Sequence, residues 1–388
     1  MSSDRYELTW RLLERVSVHD DADSAGVAFE SLVDGVDWDL LVAGALRQRL
    51  LPKLADFVIR SGGMSVLGKE LRKILVQARH ENRHKGRLAA REAARVVEAL
   101  TAAGVNVVCT KGVVHQAALY DGSGGRVFGD VDLMIDQAGA AACAQVMPAL
   151  GYLPGLRHDL VADTLVPLEK RDLAMYKLYP DHLPHFLRPL LGEALPYFMV
   201  DFCFDIVWYG AAWRIPMAEV LAETRLVTVD LGDGTVELPA LTQPYDFLFT
   251  VTHLFREAWF ERTAAVANPR LNQFADLWRQ WSRLSPATVV ELRELVHRHE
   301  IGPPVAWGCH YVDQLHGSDI VGALGLAEFC DEGWLRSASG TGGQYLSWSG
   351  DMRARVRALG PPEFLPAPEP RFGSGARAVS GRVHAGDR

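Results

Sequence analysis

Two aspartates two positions apart, Asp130 and Asp132, are the residues whose types and spacing most clearly indicate chemistry. They lie in an apolar segment, residues 129–135, and alternate side chains of a β-strand project to the same face. Two neighbouring carboxylates repel each other unless a positive charge lies between them. Mg²⁺ supplies such a charge, since it is typically held by one or two carboxylates together with substrate phosphates. The pattern therefore predicts an Mg²⁺ site, and the alternative interpretation is a solvated or turn-capping pair.

The segments around this pair predict a small α/β unit. A short buried strand is expected over residues 105–109, followed by Lys111, Gly112, a short helix and a glycine-rich turn at 122–125. After the aspartate strand, an alanine-rich helix is expected over residues 139–150. This alternation of helices and strands is typical of an α/β unit. The turn lacks the G-x-G-x-x-G frame of a dinucleotide-binding loop.

Helical segments are predicted on both sides of the unit. Apolar residues at helical spacing run over 38–59, where Pro52 predicts a kink or two shorter helices, and over 65–103. The end of the chain is rich in Pro, Gly, Ala and Arg without periodicity, which is typical of disorder. The predicted organisation is a helical N-terminal segment, a core, a helical C-terminal domain and a disordered tail, at residues 1–103, 104–242, 243–359 and 360–388.

Composition restricts the class of protein. The 388 residues are 48% hydrophobic and 23% charged, an ordinary globular balance, and the net charge of −8 argues against general nucleic-acid binding. Five scattered cysteines, an odd number, argue against a disulfide framework and a structural zinc site. Neither a signal-peptide pattern nor an apolar run of membrane-spanning length is present, so we expect a cytoplasmic protein without a membrane partner.

The order of these features resembles the uncharacterised nucleotidyltransferase family of the DNA-polymerase-β-like superfamily. The resemblance covers roughly residues 38–285 and is carried by K-G at 111–112, R-x-x-x-D-x-D-L at 126–133, and a later strand, 199–208, that contains a third acid. It implies an α+β fold. In that fold a minimal nucleotidyltransferase core, a small mixed sheet with flanking helices, lies between helical N- and C-terminal segments.

The resemblance implies three acidic metal ligands. Asp130 and Asp132 match the paired ligands, and three carboxylates can hold two Mg²⁺ ions. Two residues are candidates for the third metal ligand. In this interpretation the third acid could also act as general base for the attacking hydroxyl. Asp205 begins a segment similar to the family's acid-x-His-Trp pattern, with Val207 in place of histidine, whereas Asp201 lies in the same phase four residues earlier. The match favours Asp205, and Asp201 is the alternative.

Further residues are implied as nucleotide contacts. Lys111 and Gly112 stand where the superfamily has a glycine and a small hydroxyl residue that contact the triphosphate. Lys111 would supply charge to the β and γ phosphates, while Gly112 would permit close backbone approach. Arg126 matches a family arginine that either clamps a phosphate or pairs with Asp130.

Three histidines have less defined roles. His253 fits a family position, although a lone helical histidine is more often a hydrogen-bonded core or rim residue. His182 and His185, together with Arg188, lie in the irregular stretch before the third acidic strand, and nothing in the sequence shows whether they reach an acceptor pocket. The sequence assigns none of them a chemical step.

The activity implied is transfer of a nucleoside monophosphate from an NTP to an unidentified acceptor, with Mg²⁺ or Mn²⁺ as cofactor and pyrophosphate as product. Net acidity favours a small molecule, peptide or protein as acceptor over a long nucleic acid. A tRNA end is an alternative through the basic residues of the helix over 65–103. Two other functions are a non-catalytic nucleotide-binding module and a phosphotransferase, because γ-phosphoryl transfer uses similar groups.

Overall fold

The N-terminal segment of the protein is helical. The computed structural model describes residues 3–178, 180–190 and 195–376. Asp37 caps one helix, and Pro52 lies in the first turn of the next, so the span around Pro52 forms two helices rather than one. The helices are α1 (Ser3–Val18), α2 (Phe29–Val33), α3 (Trp38–Arg47), α4 (Leu51–Arg60) and α5 (Lys69–Ala102).

A seven-stranded mixed sheet forms the centre of the α+β fold, which confirms the predicted fold class. Its strand order is β3-β6-β7-β2-β1-β9-β8, and β4 and β5 form a separate hairpin. The elements are β1 (Val107–Thr110), α6 (Gly112–Ala118), β2 (Val131–Ile135), α7 (Ala140–Ala149), β3 (Leu153–Pro154), β4 (Leu156–Asp159), β5 (Thr164–Pro167), α8 (Lys170–Leu178), β6 (Phe186–Pro189), β7 (Tyr197–Cys203), α9 (Met217–Val220), β8 (Thr224–Asp230) and β9 (Thr235–Leu241).

The pairing around β2 sets the positions of the predicted site residues. β2 is antiparallel to β1 and parallel to β7. All five residues of β2 are buried, because α5 and α7 cover one face of the sheet and helices from both ends of the chain pack near the other. The sheet is therefore a fixed platform whose strand ends open toward the helical segments.

Helix α5 packs a small-residue face against the sheet and presents its basic residues outward. Ala90, Ala93 and Val96 are buried against the core. The opposite face is largely neutralised by acids of the same chain: Arg83 and Arg87 pair with Asp230, Arg91 with Asp233, Arg79 with Asp56 and Arg95 with Glu92. These pairs leave few free cations for the predicted tRNA contact.

Most of the C-terminal part is helical and packs on an aromatic core. Phe255 of α10 stacks on Trp259 and on Trp334, and Trp307 contacts Phe255 edge-on. None of the described helices combines the length and apolarity needed to cross a membrane. The elements are α10 (Gln243–Trp259), α11 (Glu261–Ala264), α12 (Leu271–Trp281), α13 (Pro286–Arg298), α14 (Gly302–His316), α15 (Ile320–Leu324), α16 (Glu332–Leu335), β10 (Ser337–Ser339), β11 (Tyr345–Trp348), α17 (Met352–Arg357), β12 (Phe364–Ala367) and α18 (Gly373–Ala376).

The prediction of a disordered tail from residue 360 is wrong for residues 360–376. Strand β12 pairs with β11 in a three-stranded sheet, and the carbonyl of Ala376 accepts a hydrogen bond from the buried indole of Trp208. Aromatic anchors such as Phe364 and Phe372 hold the segment despite its proline-rich composition. The rest of the predicted tail, 377–388, lies outside the described residues.

Candidate active site

Three carboxylates meet where β2 and β7 begin to run side by side. In the parallel register Asp132 lies opposite Asp201, and Asp130 immediately precedes β2. Residues opposite each other on neighbouring strands share a face, about 4.8 Å apart in the strand-to-strand direction. The three side chains line one cavity of about 700 Å³. The structure therefore brings together the predicted pair, Asp130 and Asp132, and one of the two candidates for the third acid.

The preference for Asp205 over Asp201 is corrected by the position of the strand end. β7 ends at Cys203, and beyond it the Asp205 carboxylate accepts a hydrogen bond from the backbone N–H of Val207 at 3.1 Å. Asp205 does not line the cavity that contains Asp132. The strand alternation that would place Asp201 and Asp205 on one face does not extend to Asp205, because the chain leaves the sheet after Cys203.

Asp130 and Asp201 are in opposite electrostatic situations. Repulsion from Asp132, together with burial, raises the pKa of Asp130 to about 7. Burial also disfavours the charge of Asp201, but His182 and His185 outweigh it and hold the pKa of Asp201 well below its usual range. Among the described residues, no side chain forms an ion pair with Asp130. The cavity therefore contains a carboxylate without an ion-pair partner among the described residues, although the charge of Lys111 acts on it from nearby.

Lys111 reaches the same carboxylates from an unusual backbone conformation. It precedes α6 with φ 43° and ψ −120°, a conformation that favours glycine. Its ammonium lies 2.9 Å from Oδ1 of Asp132 and 5.0 Å from the ring centre of Phe249. Burial disfavours the charge, yet Asp132 raises the pKa of Lys111, so the side chain is a cation. Lys111 therefore places a positive charge in the cavity, and its contact with a phosphate stays a prediction.

Gly112 is placed differently from its prediction. It is buried, does not line the cavity, and supports the segment that leads to Asp130. A Cβ at this position would lie 3.0 Å from the Phe128 ring and 3.2 Å from the backbone oxygen of Asp130. The close approach that requires glycine is therefore to the protein's own chain.

Arg126 pairs with Asp276 rather than with Asp130, its predicted structural partner. Its Nε lies 2.8 Å from Oδ2 of Asp276 in α12, and Tyr120 donates a hydrogen bond to the other oxygen of Asp276. The pairing with Asp130 is thus wrong. The guanidinium lines the cavity, so a contact with a phosphate stays a prediction.

Arg256 fixes the protonation of two histidines. It donates to Nε2 of His182 at 3.0 Å and to Nδ1 of His253 at 3.3 Å. Because a guanidinium has no acceptor, each contacted nitrogen carries no proton, and the other ring nitrogen carries the N–H. His182 therefore donates from Nδ1 to Asp201, and His253 from Nε2 to Glu257. Burial and nearby cations lower the pKa of His253, in agreement with a neutral ring.

The remaining histidine and the missed residues complete the wall of the cavity. His185 is 39% exposed, with Nε2 3.6 Å from Asp201, whereas Arg188 pairs with Glu92 outside the cavity. Sequence reasoning missed Arg256 and Glu257, although both follow His253 at helical spacing on α10. It also missed Arg49 and Arg270, which come from distant segments and carry no local signal.

Comparison with known protein families identifies the family of this chain. A family model described as an uncharacterised nucleotidyltransferase matches residues 34–317. The chain belongs to this nucleotidyltransferase family. The matched range contains every residue that lines the cavity, and the resemblance predicted from the sequence is confirmed. No curated protein sequence matches the chain.

The donor set of this nucleotidyltransferase suits a hard cation. Across the described part of the chain, no group of three or more His, Cys, Asp or Glu side chains forms a preassembled metal cage. Asp201 is engaged by His182, and Asp132 by Lys111. Asp130 and Asp132 still offer carboxylate oxygens at one cavity, and Mg²⁺ is usually bound by one or two carboxylates with substrate phosphates rather than by a protein cage. The residues present fit Mg²⁺ in that mode.

Proposed function

We propose that the protein transfers a nucleoside monophosphate from an Mg²⁺-bound NTP to an acceptor and releases pyrophosphate. The observation that carries the proposal is the convergence of Asp130, Asp132 and Asp201 on one cavity that also contains Lys111. The family match supports nucleotidyl transfer as the general class of activity.

The residues that support this proposal have different roles in the reaction. Asp130 and Asp132 hold the metal, with Asp201 as the third acid, oriented by His182. When bound, Mg²⁺ neutralises phosphate charge and lowers the pKa of an attacking hydroxyl. Lys111 lies next to Asp132 and supplies a fixed positive charge to the phosphates. Mn²⁺ is an alternative cofactor for the same oxygen ligands.

The bond changes distinguish this reaction from phosphoryl transfer. An acceptor oxygen forms a bond to the α-phosphorus, and the bond from that phosphorus to the bridging oxygen of the β-phosphate breaks. Pyrophosphate leaves with the electron pair of that bond. Attack at the γ-phosphorus would instead release a nucleoside diphosphate. The leaving group therefore identifies the reaction.

The test is to identify products from each of the four NTPs with Mg²⁺ or Mn²⁺, in the presence of fractionated cell extract. Wild type is expected to release pyrophosphate and add a nucleoside-monophosphate mass to the protein or to one fraction, and Asp130→Asn/Asp132→Asn is expected to do neither. Metal-dependent NTP binding without turnover in any fraction would favour a non-catalytic module. Absence of NTP binding in both proteins would contradict the proposal.

A further inference from the structure

We propose that Arg49 and Arg270 bind an anionic group, a carboxylate or a phosphate, of the acceptor. This inference rests on the proposed nucleotidyl transfer. Arg49 lies in the turn between α3 and α4, and Arg270 immediately precedes α12. Both side chains line the cavity that contains Asp130 and Asp132.

Neither of these guanidiniums is neutralised by an ion pair with a described residue. The other cations of the cavity are engaged: Arg126 pairs with Asp276, Arg256 with Asp181, and Lys111 with Asp132. Unpaired arginines inside a cavity are ready partners for carboxylate or phosphate oxygens, which they bind through two parallel hydrogen bonds.

Two acids, Asp130 and Glu257, attract Arg49 without forming an ion pair with it. One oxygen of Glu257 accepts a hydrogen bond from His253, and the other accepts one from Gln273. The second nearby acid, Asp130, belongs to the proposed metal site. Burial and the proximity of Arg270 lower the pKa of Arg49, which shows that the two guanidiniums repel each other. A bound anion would relieve that repulsion.

The backbone of Arg49 supports a binding role. Its φ is 55°, a left-handed conformation in which arginine is uncommon and glycine is favoured. Five non-glycine residues of the described chain have positive φ, and the two that line the cavity, Arg49 and Lys111, are both cations. Strained residues that persist in a structure concentrate at functional sites. The two cations reach the cavity at the cost of backbone strain.

The location of the pair favours the acceptor over the NTP. Lys111 and Arg126 lie next to the carboxylates on segments of the core and supply cations there for the triphosphate. Arg49 and Arg270 instead belong to the helical segments on either side of the core, which supply a separate part of the cavity lining. An acceptor with a reactive hydroxyl and a separate carboxylate or phosphate would meet both regions.

The experiment measures the binding of inorganic phosphate by calorimetry, to the free protein and to protein saturated with Mg²⁺ and an α,β-methylene NTP analogue, chosen as the one of the four bases that binds wild type most tightly. The variant is Arg49→Asn/Arg270→Gln, since asparagine tolerates the left-handed conformation. Arg72→Gln/Lys73→Gln, on the exposed face of α5, is the matched control for charge. Thermal melting verifies that each variant is folded.

We expect phosphate to bind the nucleotide-loaded wild type and the control, and to bind the Arg49/Arg270 variant at least tenfold more weakly. The affinity for the nucleotide analogue should be unchanged in that variant. Equal phosphate affinity in all proteins would overturn the inference. A tenfold loss of analogue affinity in the variant would also overturn it, because the arginines would then belong to the triphosphate site.

The two proposals fail in distinguishable ways. If none of the four analogues binds wild type, or if the chosen one binds Asp130→Asn/Asp132→Asn equally well, the nucleotide–metal site is contradicted. Phosphate binding to the free protein still reports on Arg49 and Arg270 in that case. If the analogue binds as expected but phosphate does not bind beside it, only the acceptor inference is lost.

Discussion

Lys111 combines a backbone conformation suited to glycine with a side chain that contacts Asp132. Two substitutions separate these contributions. Lys111→Ala and Lys111→Gly both remove the charge, but only glycine relieves the backbone strain at this position. We expect Lys111→Gly to be more stable than Lys111→Ala by about 1 kcal/mol. Both variants should lose nucleotidyl transfer by at least tenfold. Denaturant unfolding and pyrophosphate release measure the two effects.

The order of the two stabilities is the critical result for Lys111. If the alanine variant were the more stable, the strain assigned to φ 43° would be contradicted. If Lys111→Gly kept full turnover, the ammonium would have no part in the reaction, and its contact with Asp132 would be purely structural.

Asp205 predicts a pH effect on stability that is unrelated to the site. Burial raises its pKa from 3.8 in the unfolded chain to about 6 in the fold. The folded state therefore holds the proton more tightly, and burial of this carboxyl becomes costly as pH rises through about 6. Asp205→Asn keeps an oxygen acceptor for Val207. The variant should gain stability relative to wild type between pH 4 and pH 7, by at most about 3 kcal/mol.

Denaturant unfolding at several pH values checks this difference. A difference between Asp205→Asn and wild type that does not change with pH would show that the carboxyl ionises freely in the folded protein.

The choice between Asp201 and Asp205 shows what single-residue patterns do and do not determine. Asp201 and Asp205 would lie on the same face of a continuous strand, and the match of Trp208 to the family's acid-x-His-Trp pattern favoured Asp205. The sequence does not show where a strand ends. The carboxylate of Asp205 binds the N–H of Val207 two residues on, a local turn that competes with strand pairing.

At the scale of elements, the junction of β1 and α6 packs closely against the segment that leads into β2. Gly112→Ala would bring a Cβ to 3.2 Å from the backbone oxygen of Asp130 and displace this segment by a few tenths of an ångström. We expect turnover to fall about tenfold, because small displacements of reacting groups are costly, with a smaller effect on stability. Steady-state kinetics and thermal melting measure both effects.

Gly129→Ala is the matched control for this prediction. It lies in the same segment, and a Cβ there would meet no atom within 4 Å. Similar turnover in the two alanine variants would contradict the role assigned to the close packing of Gly112.

Helices with a strong apolar periodicity were predictable from the sequence, whereas strands, which depend on pairing with other strands, were less so. Helices α3, α4 and α5 follow the predicted segments, and α10, α12, α13 and α14 lie in the predicted helical C-terminal domain, because an apolar face recurs at helical spacing. The hairpin of β8 and β9 was missed, although its β-branched residues flank a glycine-rich turn. Short strands such as β3 and β6 contain prolines, and they pair with each other across the hairpin of β4 and β5 and helix α8.

At the scale of the whole molecule, the C-terminal segment ties the helical parts together. Arg357 pairs with Glu7 and Glu14 of α1, and Gln48 donates a hydrogen bond to the carbonyl of Val356. These contacts join residues more than 300 positions apart. Composition alone predicted disorder for the following segment because tertiary pairing of this kind leaves no local signal.

The cavity likewise depends on the complete fold. The sequence motifs identified Asp130, Asp132, Asp201 and Lys111, which lie close to one another on the sheet. The rest of the cavity wall includes residues from the turn after α3, from α10 and from the start of α12. Its arginines were not predictable, because arginine on a helical segment is usually a solvated residue.

The most direct test of the account compares Asp201→Asn with Asp205→Asn in Mg²⁺-dependent release of pyrophosphate from the NTP that wild type uses. The two acids lie four residues apart, and only Asp201 lines the cavity. The account predicts that Asp201→Asn lowers the rate by at least a hundredfold, while Asp205→Asn stays within about threefold of wild type, as expected of a residue that makes no contact with the reacting groups. The reverse order, or equal rates in both variants, would contradict the placement of the site.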